Sequence, residues 1–142
     1  MIPAKRRELV KAFHRHISAF RLIEKTQRTA SYQLLLFYGV ECGLKALILK
    51  EILGNTTDDM LNHNYLGSRI RGDNGHNLKE FLHFLNAPAT HLPDLLCKNT
   101  HKAPVKQYNQ VWRYCIEIED RECEEKVVAE LLRIAKWIEE GI

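Results

Sequence analysis

The chain has 142 residues, 45% of them hydrophobic and 27% charged, with a formal net charge of +3. That length and balance describe one globular domain able to bury a continuous core, and exclude a disordered chain. So small a positive excess does not mark a protein that coats nucleic acid through its overall charge, so any basic surface must be local.

The opening "MIPAKRRELVKAF" carries charge without an apolar core of leader length, so no signal peptide is expected. A first helix is expected from Pro3 to about Thr26, since proline suits a first helical position. Leu9, Phe13, Ile17, Phe20 and Ile23 recur at helical spacing and form its apolar stripe. Arg6, Arg7, Lys11, Arg15 and Arg21 lie mostly off that stripe, either as a solvated face or as a strip facing phosphate. A second helix is expected from Ala30 to Leu53, ending at Gly54-Asn55. Its centre, Leu34 to Leu49, is apolar nearly all round, as the buried middle of a bundle would be. Within it Glu41 and Lys45 stand four apart, must find partners or reach water, and make the stretch too charged and too short to span a membrane.

Residues 55 to 76 are rich in Gly, Asn, Asp and Ser and read as a long loop with a short helix near Asp58 to Tyr65. A third main helix is expected to start at Asn77, with Glu80 completing a capping box and Leu78, Phe81, Leu82 and Leu85 facing the core. A short helix is expected at Asp94 to Lys98 and a longer one from Pro104 to Cys115. The alternating "VWRYCIEIE" also fits a strand, but no partner for it is evident, so the helical reading is taken. The last helix is expected from Asp120 to Glu140, with Val127, Val128, Leu131, Leu132, Ala135 and Ile138 as its stripe. The fold class is therefore all-α: an antiparallel bundle of about five helices with a long loop between the second and third main ones.

The four cysteines, Cys42, Cys97, Cys115 and Cys123, show no CxxC spacing and read as free thiols in a cytoplasmic protein. No metal site is expected, because neither HExxH nor paired zinc spacing occurs. No cofactor is expected either, and there is no glycine-rich phosphate loop or GxSxG elbow. What remains is arginine with histidine. "RIRGDNGH" supplies Arg71 and His76 at an R-x4-H spacing, and Arg69 with His76 at R-x6-H; Arg7 with His14 fits as well. Histidine titrates near neutrality and arginine holds phosphate bidentately, so the pair suffices for metal-independent RNA cleavage. His76 also has a structural reading, as a residue that ties the loop or a neighbouring helix just ahead of a helix start.

"YGVECGLKALIL" (Tyr38 to Leu49), "GHNLKEFL" (Gly75 to Leu82) and "WRYCIE" (Trp112 to Glu117) together resemble the conserved blocks of HEPN domains. The resemblance covers roughly residues 10 to 140 and implies a single HEPN-like helical domain over 1–142. It implies a metal-independent endoribonuclease of a bacterial or archaeal defence or toxin–antitoxin type system, working on RNA as a homodimer. Arg71 and His76 would be catalytic, supported by Arg69, Asn77, Glu41, Lys45 and Arg113. The alternative implication is a non-catalytic binding or assembly module that partners a nucleotidyltransferase or another effector. Neither involves a membrane. The sequence departs from the catalytic pattern in that Gly72 follows Arg71, where a polar residue is usual.

Overall fold

A computed structural model describes residues 2–142. Among them are six α-helices: α1 (Arg6–Arg21), α2 (Ala30–Glu51), α3 (Thr57–Leu61), α4 (Leu78–Phe84), α5 (Tyr108–Arg113) and α6 (Arg121–Gly141). One two-stranded sheet pairs β1 (Leu95–Leu96) antiparallel with β2 (Lys102–Ala103). The all-α reading holds, and α2 is the axis: it touches each of the other five helices. Its apolar residues point in every direction because every direction is core. Over its 22 residues α2 is long and apolar enough to cross a membrane. The sequence reading counted only its apolar centre; here the stretch from Leu36 to Leu49 is the buried middle of the bundle, and the ends of the helix reach the surface.

Helix α1 packs its expected stripe, Leu9, Phe13, Ile17 and Phe20, onto α2. The two run antiparallel, with Ile17 beside Gly39 and Phe13 beside Gly43. Helix α6 lies on another side of α2 and runs in the same direction, Ile138 meeting Gly43 and Leu47 meeting Gly141. The intervening elements, α3 to α5, carry the chain back to make that possible.

Several boundaries differ from the expectation, each for a local reason. Helix α1 starts at Arg6, not Pro3, because Ala4 and Lys5 pair in extended form with Thr57 and Thr56. It stops at Arg21, and only a single 3₁₀ turn, Lys25–Gln27, follows. The helix expected at Asp94 to Lys98 is β1 instead, since Cys97 N–H donates to His101 C=O at 2.9 Å and closes a hairpin. The segment after Arg113 does find a strand partner: Lys98 N–H donates to Glu117 C=O at 2.9 Å and Glu119 N–H to Leu96 C=O at 2.8 Å. The helix expected from Pro104 divides into a 3₁₀ turn, Val105–Gln107, and α5. Tyr108 and Trp112 of α5 are fully buried. The Tyr108 hydroxyl donates to the Pro93 carbonyl, and Trp112 Nε1 donates to the buried Glu124 carboxylate of α6 at 3.0 Å.

Candidate functional site

The long loop is folded rather than open. Asp59 of α3 accepts from the Thr56 and Asn55 amides, which holds its carboxyl below the usual range and starts the helix. Thr57 Oγ1 accepts from Ala4 N–H at 3.1 Å, tying the loop to the start of α1. A 3₁₀ turn, Gly72–His76, then delivers His76 to the side of α2. Gly72 opens that turn at φ +60°, a conformation that suits glycine. Asparagine or aspartate would tolerate that conformation too, so the turn suits the glycine but does not by itself account for the departure from the R-polar pattern.

His76 Nδ1 lies 2.7 Å from Glu41 Oε1, and Lys45 Nζ lies 3.4 Å from Glu41 Oε2. Glu41 is only 6% exposed, so the two contacts answer the requirement that a buried acid be partnered. Because a carboxylate only accepts, Nδ1 carries the imidazole proton and donates it to Glu41. In the neutral imidazole Nε2 is then the acceptor nitrogen, on a ring whose side chain is 38% exposed. This is the orienting arrangement of a carboxylate behind a catalytic histidine. It is also a strut joining the loop to the core helix.

A cleft of about 350 Å³ opens in front of this trio, lined among others by Lys45, Thr57, Arg71, His76 and Phe81. Arg71 is exposed, and its side chain makes one long hydrogen bond among the described residues, 3.5 Å to the Leu61 carbonyl, so its guanidinium keeps donors for a ligand. Lys45 Nζ sits 5.9 Å above the Phe81 ring, which forms an apolar wall. The cleft thus holds two cations and an imidazole around a pocket with an apolar wall.

The other expected residues lie apart from it. Arg69 stacks on Tyr65, its guanidinium carbon 4.3 Å from the ring centroid, and does not line the cleft. Arg113 bonds the Tyr38 hydroxyl one helical turn before Glu41, also outside the lining. Asn77 is a cap: its side chain accepts from Lys79 N–H at 3.2 Å. The capping box with Glu80 does not form, because Asn77 N–H is already given to Asn74 C=O at 3.1 Å. Thr57 and Phe81 were not anticipated as cleft residues, since neither carries a charge or a motif. Cys42, one residue from Glu41, is no nucleophile: burial first, then the Glu41 charge, push its thiol up to about 11. Among the described residues no three His, Cys, Asp or Glu side chains gather at metal-binding distance.

Comparison of the chain with family models, with curated proteins and with solved structures finds no match. The class that the fold and site define is therefore an all-α bundle with a cationic histidine cleft beside its central helix.

Proposed function

We propose that the cleft is the site of a HEPN-like, metal-independent endoribonuclease. The observation that carries this reading is the Glu41–His76 bond beside Arg71 and Lys45 in one cleft. With Nδ1 held by Glu41, His76 Nε2 is the base that takes the proton of a ribose 2′-hydroxyl. The 2′-oxygen attacks the adjacent phosphorus, the bond to the 5′-oxygen breaks, and a 2′,3′-cyclic phosphate remains. Arg71 holds the non-bridging oxygens and Lys45 adds positive charge as the phosphorane forms. The departing 5′-oxygen takes a proton from solvent or from an acid of a second protomer. The protein is a homodimer in this reading, and Tyr114 and Ile116 are exposed side chains free to lie at its interface. In this reading the protein works in the cytoplasm, where its four cysteines remain thiols, in a defence or toxin–antitoxin type system.

A second reading has its own observation. The bonds from Glu41 to His76 and Lys45 pin the loop to α2, as a purely structural strut would, and the protein would then be a non-catalytic module that binds a nucleotidyltransferase or another effector. Incubating purified protein with single-stranded RNA in EDTA separates the two. The nuclease reading expects cleavage to products with cyclic phosphate ends, lowered about a hundredfold or more in Arg71→Ala. Absence of cleavage by the wild-type protein would leave the binding module standing.

A further inference from the structure

Helix α1 has a second face that its packing leaves unused. Opposite the buried Leu9, Phe13, Ile17 and Phe20, the exposed residues Arg7, Lys11, His14, Arg15 and Ser18 fall at three- and four-residue steps on one side. None of Arg7, Lys11 and Arg15 enters an ion pair among the described residues. Glu8, the one acid on the helix, is turned back to accept from Lys5 N–H at 2.9 Å. By contrast Arg21, at the far end, is already paired with Glu139 at 2.6 Å. A bundle gains little by keeping three uncompensated cations in a row, since like charges at four-residue spacing destabilise a helix slightly. The chain just ahead of the row is also tied to the rim of the cleft: Ala4, three residues before Arg7, is bonded through both its N–H and its C=O to Thr57, a cleft-lining residue.

We propose that this face of α1 is a track for the backbone of single-stranded RNA whose scissile phosphate lies in the Arg71–His76 cleft. The inference rests on the nuclease reading for the position of the scissile phosphate, but not for the binding itself. Four-residue steps along a helix advance about 6 Å, a distance comparable to the separation of successive phosphates in an extended strand. Arg7, Lys11 and Arg15 can therefore meet neighbouring phosphates while the bases face away. The apolar stripe of α1 is already committed to the core, which leaves only charge to recognise a ligand. A polyanion without an apolar surface fits that description, and a bilayer surface, which a basic helix usually engages through its apolar face as well, fits it less.

The test uses the full chain and a labelled RNA oligomer long enough to run the length of α1. Binding is read by fluorescence anisotropy across a salt series, for wild type and for R7Q/K11Q/R15Q. These side chains are exposed, so the fold should survive; circular dichroism checks it, and R15Q alone serves if the triple variant does not fold. A second triple, K25Q/K102Q/K136Q, removes the same charge elsewhere. The proposal expects the α1 triple to bind at least about tenfold more weakly at 0.15 M salt, with the salt slope reduced by about 2, from roughly 0.7 per phosphate neutralised. The control triple should bind nearly as wild type. An unchanged slope in the α1 triple, equal losses in both triples, no RNA binding by wild type at low salt, or tighter binding to anionic vesicles than to RNA would each overturn it. Cleavage of a dinucleotide, too short to reach α1, reports on the cleft alone. Dinucleotide cleavage with binding indifferent to α1 sinks the track and keeps the nuclease. Binding that needs α1 with no cleavage of either substrate keeps the track and sinks the nuclease.

Discussion

His76 and Glu41 hold each other in place, so a simple truncation cannot separate the two roles of His76. His76→Ala removes one of two partners of a buried carboxylate and should cost about 1–3 kcal/mol whether or not the imidazole is catalytic. A sharper substitution is His76→Asn, whose amide places an N–H near the Nδ1 position and so can still donate to Glu41, but offers no basic nitrogen at Nε2. The expected outcome is a melting temperature closer to wild type than that of His76→Ala, with RNA cleavage lowered about a hundredfold or more. Cleavage that survives in His76→Asn would assign the histidine to the strut alone. Glu41→Ala is the harsher change: it frees His76 and strands Lys45, and should cost about 3 kcal/mol or more. The cysteines allow an independent check on local environment. Cys42 is held protonated up to about pH 11, and burial raises Cys97 and Cys123 as well, whereas Cys115 is exposed. Iodoacetamide at pH 8 should therefore label exposed Cys115 first, well ahead of buried Cys97 and half-buried Cys42, with mass spectrometry of the digest as the readout; labelling of Cys97 as early as Cys115 would mean that the hairpin is not packed as described.

Helix ends show where local chemistry and the fold part company. Helices α2, α4 and α5 all finish in the same two-bond cap. In α2 the Gly54 amide donates to Leu49 at 2.9 Å and the Leu53 amide to Lys50 at 3.4 Å; the corresponding pairs are Ala87–Leu82 with Asn86–His83, and Ile116–Val111 with Cys115–Trp112. The cap requires a left-handed residue, and here it is Leu53 (φ 54°), Asn86 (φ 51°) and Cys115 (φ 50°). Gly54 looked like that residue in the sequence, but it stands one position later. It is needed there for closeness, since a Cβ would come within 3.0 Å of Leu49 and 3.1 Å of Asp59. Leucine is poorly suited to a left-handed site, and Leu53 is also 90% exposed. Leu53→Gly should therefore raise stability by about 1 kcal/mol, and Cys115→Gly by a similar amount. Asn86→Gly should change little, because asparagine already tolerates the conformation. Urea midpoints for the three variants decide the matter; a loss in Leu53→Gly would mean that the leucine makes a contact in solution, as in a dimer. The all-round apolar centre of α2 and the apolar stripe of α6 made both helices legible to within a few residues. The strand at Leu95 was not, because two residues have no periodicity of their own; around Glu117 the alternation showed, but the partners that make it a strand, Leu96 and Lys98, lie elsewhere in the chain.

The site was legible in parts and not as a whole. Glu41 announced itself as an acid in an apolar helix, and His76 as a histidine ahead of a helix start, yet the bond between them spans 35 positions and no spacing rule reaches that far. Arg69 and Arg113 share the residue type of Arg71 but face Tyr65 and Tyr38 instead, a difference set by how the loop and α5 pack. The same holds for the glycines of α2, whose role belongs to the whole bundle. Gly43 lies where α1 and α6 both press on α2, and a Cβ there would come within 2.6 Å of the Phe13 ring and 2.8 Å of Ile138. At Gly39 the closest approach is the terminal methyl of Ile17 at 2.8 Å, which can swing aside more easily than a ring. Alanine in place of glycine favours an isolated helix by about 1 kcal/mol, so propensity alone expects both Gly→Ala variants to gain. Overpacking of a closed core costs about 1–3 kcal/mol and works against that gain. At Gly43 the ring of Phe13 and the facing Ile138 close both escape routes, so packing should win, and Gly43→Ala should lose about 1 kcal/mol net. Gly39→Ala should lose less, or nothing. The comparison is made by urea denaturation, where a lower midpoint at unchanged m reports stability rather than a change of fold. A stabilised Gly43→Ala would mean that α1 and α6 do not converge on α2 at this level, and the arrangement that presents Glu41 to His76 would have to be redrawn with it.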